Sequence, residues 1–177
     1  MTSYENQILR PAVLLLLGAA RDVIVHVAPV EHLTSAGARK RSAAELGKGC
    51  PDLLLSVRWR ARSPMSGPTG AAWLCMELKA PPCPGSGPEV FVCSQCLRAN
   101  QSLPWSCTCP GSRVQRIPRW SPGRVSKEQA ETHAAWERGG RWVSVVRTPA
   151  EAQAALVEAR RRLRAAGLEP CAVEGRS

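Results

Sequence analysis

In Gly49-Cys50-Pro51-Asp52-Leu53-Leu54-Leu55 a proline and an aspartate open an apolar run, and in Ala71-Ala72-Trp73-Leu74-Cys75-Met76-Glu77-Leu78-Lys79 a second apolar run ends by alternating charge with leucine. Both read as buried strands, the first continuing to Val57. Side chains alternate faces along a strand, so Glu77 and Lys79 project from one face. An aspartate entering from the preceding strand adds a second carboxylate; Asp52 is one of only two in the chain, the other being Asp22. Two carboxylates and an amine converging at one point can hold a divalent cation and position a water against a phosphate. Taken alone, Glu-x-Lys at a strand end is commonly a solvated ion pair, and Pro-Asp is an ordinary way to begin a strand.

At 177 residues the chain fits one domain with a substantial core. Its net charge of +10 and pI of about 9.8 suit a polyanionic partner. The excess is almost all arginine, in a composition rich in Ala, Gly and Pro, so mutational bias toward GC-rich codons explains the charge equally well. Lysine is confined to Lys40, Lys48, Lys79 and Lys127, which singles out Lys79 as a place where a compact ammonium is wanted. Leu14 to Leu17 is too short to span a bilayer and follows Glu5 and Arg10 rather than a basic leader, so a cytoplasmic protein with no membrane partner is expected.

Around the two strands the chain reads as α/β. A helix is expected over 3–18, a β-branched strand over 22–28, and an irregular basic stretch from Pro29 to Gly49 in which Arg39, Lys40, Arg41 and Lys48 suit a phosphate backbone. Arg58 to Gly70 reads as a connection. Residues 81–122 hold eight of the fifteen prolines and read as an insertion that divides the core into 1–80 and 123–167. Beyond it, Ser126 caps a helix over Lys127–Arg138 that Gly139-Gly140 ends. Arg141 to Arg147 reads as a strand, and Thr148-Pro149-Ala150-Glu151 starts a last helix that stops at Gly167. Residues 168–177 are expected as a loose tail.

The insertion carries five of the eight cysteines. In a reducing compartment, Cys93, Cys96, Cys107 and Cys109 suit a structural Zn²⁺, with Cys83 in reserve; the alternative is unligated thiols. So few apolar residues are expected to need the metal to fold. Arg98, Arg113, Arg116 and Arg119 are expected to face DNA, and Trp105 and Trp120, which lack an evident core, are weaker candidates for touching it.

In their order, Glu5, Gly49 to Leu53, Glu77-Leu78-Lys79, Gly123-Arg124-Val125-Ser126-Lys127-Glu128-Gln129 and Gly140 to Thr148 resemble the virus-type replication-repair nuclease domain, a branch of the restriction-endonuclease-like fold. The resemblance spans nearly the whole chain outside the insertion. It implies a short mixed sheet flanked by helices, with Asp52, Glu77, the Leu78 carbonyl and Glu5 on Mg²⁺ or Mn²⁺. Lys79 would activate water and steady the transition state, and Gln129 would hold the lysine or the water. Read as a stand-alone version, the chain is expected to be a homodimeric endonuclease of branched DNA, four-way junctions or flaps, in phage replication and repair, with Arg124 and Lys127 added to the DNA contacts.

Rival readings stand beside these. Gln129 fits a capping box with Ser126, Glu5 suits a helix start, and His26 and His133 read as structural, His133 sharing the Gln129 face. A zinc-stabilised DNA-binding protein with an inactive nuclease fold, or an interaction module whose charge is only compositional, would account for the same composition.

Overall fold

The structure is a computed structural model that describes residues 4–27, 51–62, 69–93, 96–100, 108–109 and 113–173. The basic stretch with Arg39, Lys40, Arg41 and Lys48, as well as Trp105 and Cys107, lies outside them. The main sheet is mixed, as expected. Strands β1 (Val23–Val27), β2 (Leu53–Ala61) and β3 (Thr69–Leu78) are successively antiparallel, and β7 (Trp142–Val146) joins β3 in parallel.

Alternation sorts the side chains onto two faces. Leu53, Leu55, Val57, Leu74, Met76, Leu78 and Val146 are fully buried or nearly so beneath α1 (Arg10–Gly18) and α3 (Pro149–Ala165). The opposite face carries Ser56, Trp73, Cys75 and Glu77, and α2 (Lys127–Arg138) packs there beside β7. The chain is therefore a mixed α/β protein with helices on both faces of its sheet. Among the described residues no helix is long and apolar enough to cross a membrane.

The first helix departs from expectation. Glu5–Leu9 is a π-helical turn, with the Arg10 amide bonded to the Glu5 carbonyl, before regular α1 begins. Pro11 has no amide hydrogen to give and its ring crowds the preceding turn, so the wider turn relieves a clash that an unbroken α-helix over 3–18 would contain.

Two further differences come from pairing partners that lie far off in sequence. β2 runs past Val57 to Ala61 because its second half finds partners: Trp59 pairs with Gly70 on one side and with Pro170 on the other. A Cβ on Gly70 would meet the Trp59 ring at 2.5 Å, so the glycine makes room for the indole. Part of the supposed loose tail is likewise a strand, β8 (Leu168–Pro170), fixed by ladder bonds to β2 and by the Val173 amide donating to the Arg21 carbonyl at 2.7 Å.

The insertion also holds more structure than its composition suggested. β4 (Glu89–Cys93), β5 (Ala99–Asn100) and β6 (Val114–Pro118) form an antiparallel sheet in the order β5-β4-β6. Val90, Val92 and Ile117 alternate inward and join the main hydrophobic core. Trp120, expected as a nucleic-acid contact, is instead buried: its ring lies 4.3 Å from that of Tyr4, and its Nε1 donates to the Pro81 carbonyl at 2.9 Å. An indole with its N–H satisfied and its faces covered is a packing residue.

One ion pair ties the C-terminal helix to the sheet. Arg160 of α3 grips the buried Asp22, just before β1, through Nε (2.7 Å) and a second short contact from its Nη2. Cutting Arg160 to alanine leaves that carboxylate buried without its partner. The pair is partly open to water, so the expected loss is about 2 kcal/mol rather than the larger cost of a fully buried pair. Urea denaturation measures it.

Candidate active site

Leu53 pairs with Met76, so Asp52, one residue earlier, stands across from Glu77 at the end of the β2–β3 ladder. Directly opposed residues of an antiparallel pair share a face, and Lys79 follows on that face two residues beyond Glu77. The side chains meet accordingly. Lys79 Nζ lies 2.6 Å from Glu77 Oε1, and Asp52 Oδ2 accepts the Leu78 amide at 2.7 Å. What is seen of Leu78 is this amide contact; its carbonyl was the group expected to act.

Glu5 enters from the π-helical turn. It is almost fully buried, and its Oε1 accepts the Ala80 amide at 2.7 Å. Gly123 makes that approach sterically open: a Cβ there would meet Glu5 Oε1 at 2.6 Å and the Ala80 nitrogen at 2.8 Å. The segment leaving the insertion thus closes directly over the end of β3, the Gly123 amide donating to the Ala80 carbonyl at 3.0 Å.

The two roles weighed for Gln129 prove compatible. Its Oε1 accepts the Ser126 amide (3.0 Å) while its own amide donates to Ser126 Oγ (3.2 Å), a complete capping box. The side-chain nitrogen, unused by the cap, donates to Glu77 Oε1 at 2.5 Å. Helix initiation therefore sets the very rotamer that delivers an amide to Glu77.

His133, one turn further along α2, is the residue that sequence reasoning underrated. It is buried, and its Nε2 faces Glu77 Oε2 at 3.7 Å; neither atom has a hydrogen-bond partner. Its spacing of four from Gln129 was the available signal. Arg10, also unforeseen, lies close enough for its charge to act on Asp52.

Electrostatics mark this corner as strained. Burial, then the charges of Glu77 and Glu5, push the Asp52 carboxyl up to about 6, against the opposing pull of the Leu78 amide and Lys79. Glu77 is also raised, chiefly by burial, with Lys79 and Gln129 holding it down. His133 is lowered, first by burial and then by Lys79. Because Asp52 binds its proton more tightly folded than unfolded, its contribution to stability is fully present below the ordinary value of 3.8 and is lost as pH rises through about 6. The protein is therefore expected to melt at lower temperature at pH 7 than at pH 5, and Asp52→Asn to flatten that slope; calorimetry across the window checks it.

The positively charged side chains foreseen as DNA contacts are placed as follows. Arg124 and Lys127 are exposed at the start of α2, where Lys127 loosely pairs with Glu131. Arg98 and Arg113 are exposed, Arg116 pairs with Glu89 at 2.8 Å, and Arg119 reaches the Pro84 carbonyl at 3.3 Å.

Away from this corner, Cys93, Cys96 and Cys109 bring their sulfurs within 4.8 Å of one another, a cluster that can hold a metal ion such as zinc. The Leu97 amide donates to the Cys93 carbonyl at 3.1 Å, and Leu97 has φ of 57°, the one positive-φ non-glycine among the described residues. A branched side chain in the left-handed region costs roughly 1–2 kcal/mol, which something at the turn must offset. No family model, curated protein or solved structure matches this chain.

Proposed function

We propose that this protein is a divalent-cation-dependent DNA endonuclease, a restriction-endonuclease-like enzyme of the virus-type replication-repair nuclease class. The observation that carries the reading is the convergence of Asp52, Glu77 and Lys79 at one end of the sheet, with Gln129 and Glu5 directed at the same strand end.

The donor set fits a small hard cation. Asp52, Glu77 and Glu5 offer carboxylate oxygens, the kind Mg²⁺ and Mn²⁺ prefer, and the buried Oε2 of Glu77 has no partner. The raised carboxyl groups point the same way, since a cluster of acids in a dry corner needs added positive charge to ionise. Bound there, the ion supplies Lewis-acid stabilisation to a phosphate oxygen. Asp52, Glu77 and Glu5 would hold it; Gln129 pins Glu77 Oε1, leaving Oε2 free. Lys79, an ammonium held by Glu77, orients the attacking water and faces the charge that builds on the phosphate.

Arg124 and Lys127 carry the DNA backbone toward the corner. The preferred substrate is branched, a four-way junction or flap, and a symmetric homodimer matches the symmetry of a junction. Zinc held by Cys93, Cys96 and Cys109 would pin the insertion.

A panel of end-labelled junctions, flaps, duplexes and single strands, incubated with Mg²⁺ or Mn²⁺, tests the reading. Cleavage concentrated on branched species is expected. Intact DNA throughout, alongside salt-sensitive binding in gel shifts, would identify a DNA-binding protein on an inactive fold.

A further inference from the structure

Glu77 divides its labour between two oxygens: Oε1 takes both Lys79 and Gln129, while Oε2 meets His133 Nε2 across 3.7 Å with no hydrogen bond to either atom. Both residues are more than nine-tenths buried. Leaving two polar atoms unsatisfied in such a place costs about 1–3 kcal/mol each, so their facing each other calls for a third body.

The spacing discriminates among candidates. A direct N–H···O bond needs about 2.7–3.2 Å, shorter than observed. A bridging water, about 2.8 Å from each partner at a near-tetrahedral angle, spans roughly 4.5 Å, longer than observed. A cation with ligand distances of about 2.1 Å spans roughly 3–4 Å between neighbouring ligands, and the observed gap falls inside that range.

We propose that His133 is a nitrogen ligand of the cation held by Glu77, and that it biases the site away from Mg²⁺ toward transition-metal ions that accept imidazole. The assignment rests on the nuclease reading above for the existence of a cation site, but it concerns which ion is preferred. Mg²⁺ keeps to oxygen and surrenders water reluctantly, whereas imidazole suits first-row transition ions, with Mn²⁺ accepting both donor types. Helix α2 presents Gln129 and His133 four residues apart on one face, so a single element sets one oxygen of Glu77 and shares the ion on the other.

Electron spin-echo envelope modulation on Mn²⁺ bound to the full-length protein without DNA reads this directly. Nitrogen modulation is expected, changing to the ¹⁵N pattern when histidine is ¹⁵N-labelled. In His133→Gln the modulation disappears and the Mn²⁺ dissociation constant rises about tenfold, with Mg²⁺ affinity changing less than about twofold. The chain has three histidines, so a His26→Gln, His32→Gln protein retains His133 alone and keeps the signal, which serves if His133→Gln fails to fold. Stoichiometric Mn²⁺ that is lost in Asp52→Asn yet shows no histidine coupling overturns the proposal and leaves the nuclease reading intact. A protein that binds no Mn²⁺ sinks both.

Discussion

Replacing Lys79 with alanine is expected to lower cleavage of branched DNA by about a thousandfold, while gel-shift affinity for the same DNA stays within about threefold of the parent. The asymmetry follows from position. Lys79 is largely buried and spends its ammonium on Glu77, so it contributes little to the long-range field that draws in a polyanion. That field belongs to exposed arginines and lysines elsewhere. Inside the corner, though, it is the one cation ion-paired with Glu77 among the described residues apart from His133, should the imidazole be protonated, and His133 is lowered by burial. Arginine is a poor substitute because a planar fork cannot occupy the pocket of a compact ammonium, and Lys79→Arg is expected to stay at least about tenfold down. Circular dichroism and a thermal melt separate lost chemistry from lost folding. A Lys79→Ala protein that cuts within tenfold of the parent would remove the lysine from the reaction.

Much of this corner was legible because strand geometry is short-ranged. Period-two alternation fixed Glu77 and Lys79 on one face, and a proline ahead of Asp52 marked where the neighbouring strand begins. The Ser126 cap was visible in four consecutive residues. What stayed hidden depends on pairings between distant segments. Nothing local says that Glu5 reaches Ala80, that Gly123 is needed to let it, or that Leu168–Pro170 will find the outer half of β2. His133 was set aside because a lone histidine on a helix has no neighbouring ligand in sequence; its partner lies on β3. Pro11 was an available signal for the break in the first helix, and the alternation of Val90 and Val92 for a strand, but neither was read: the first lay inside a helical pattern and the second among prolines and glycines.

The second large effect is expected at the thiols. Purified protein should retain about one equivalent of zinc per chain after dialysis, and Cys93→Ser should lose it together with about 3 kcal/mol of stability, roughly 10 °C in melting temperature for a chain this size. The magnitude follows from what Cys93 anchors. It is the fully buried last residue of β4, and four residues on Leu97 sits in the left-handed region, a cost that an ion bound by Cys93 and Cys96 would help to offset. The loss should also travel. Val90, Val92 and Ile117 of the small sheet belong to the main core, and Trp120 stacks on Tyr4, next to Glu5, while its N–H holds Pro81, two residues past Lys79. Loosening the insertion therefore slackens both ends of the corner that carries Glu5 and Lys79, and cleavage by Cys93→Ser should fall about tenfold even at saturating Mg²⁺. A zinc-free wild-type protein with the same melting temperature would show that apolar burial alone holds the small sheet. Equal cleavage by zinc-free Cys93→Ser and parent would show that the insertion and the corner around Glu77 are mechanically independent.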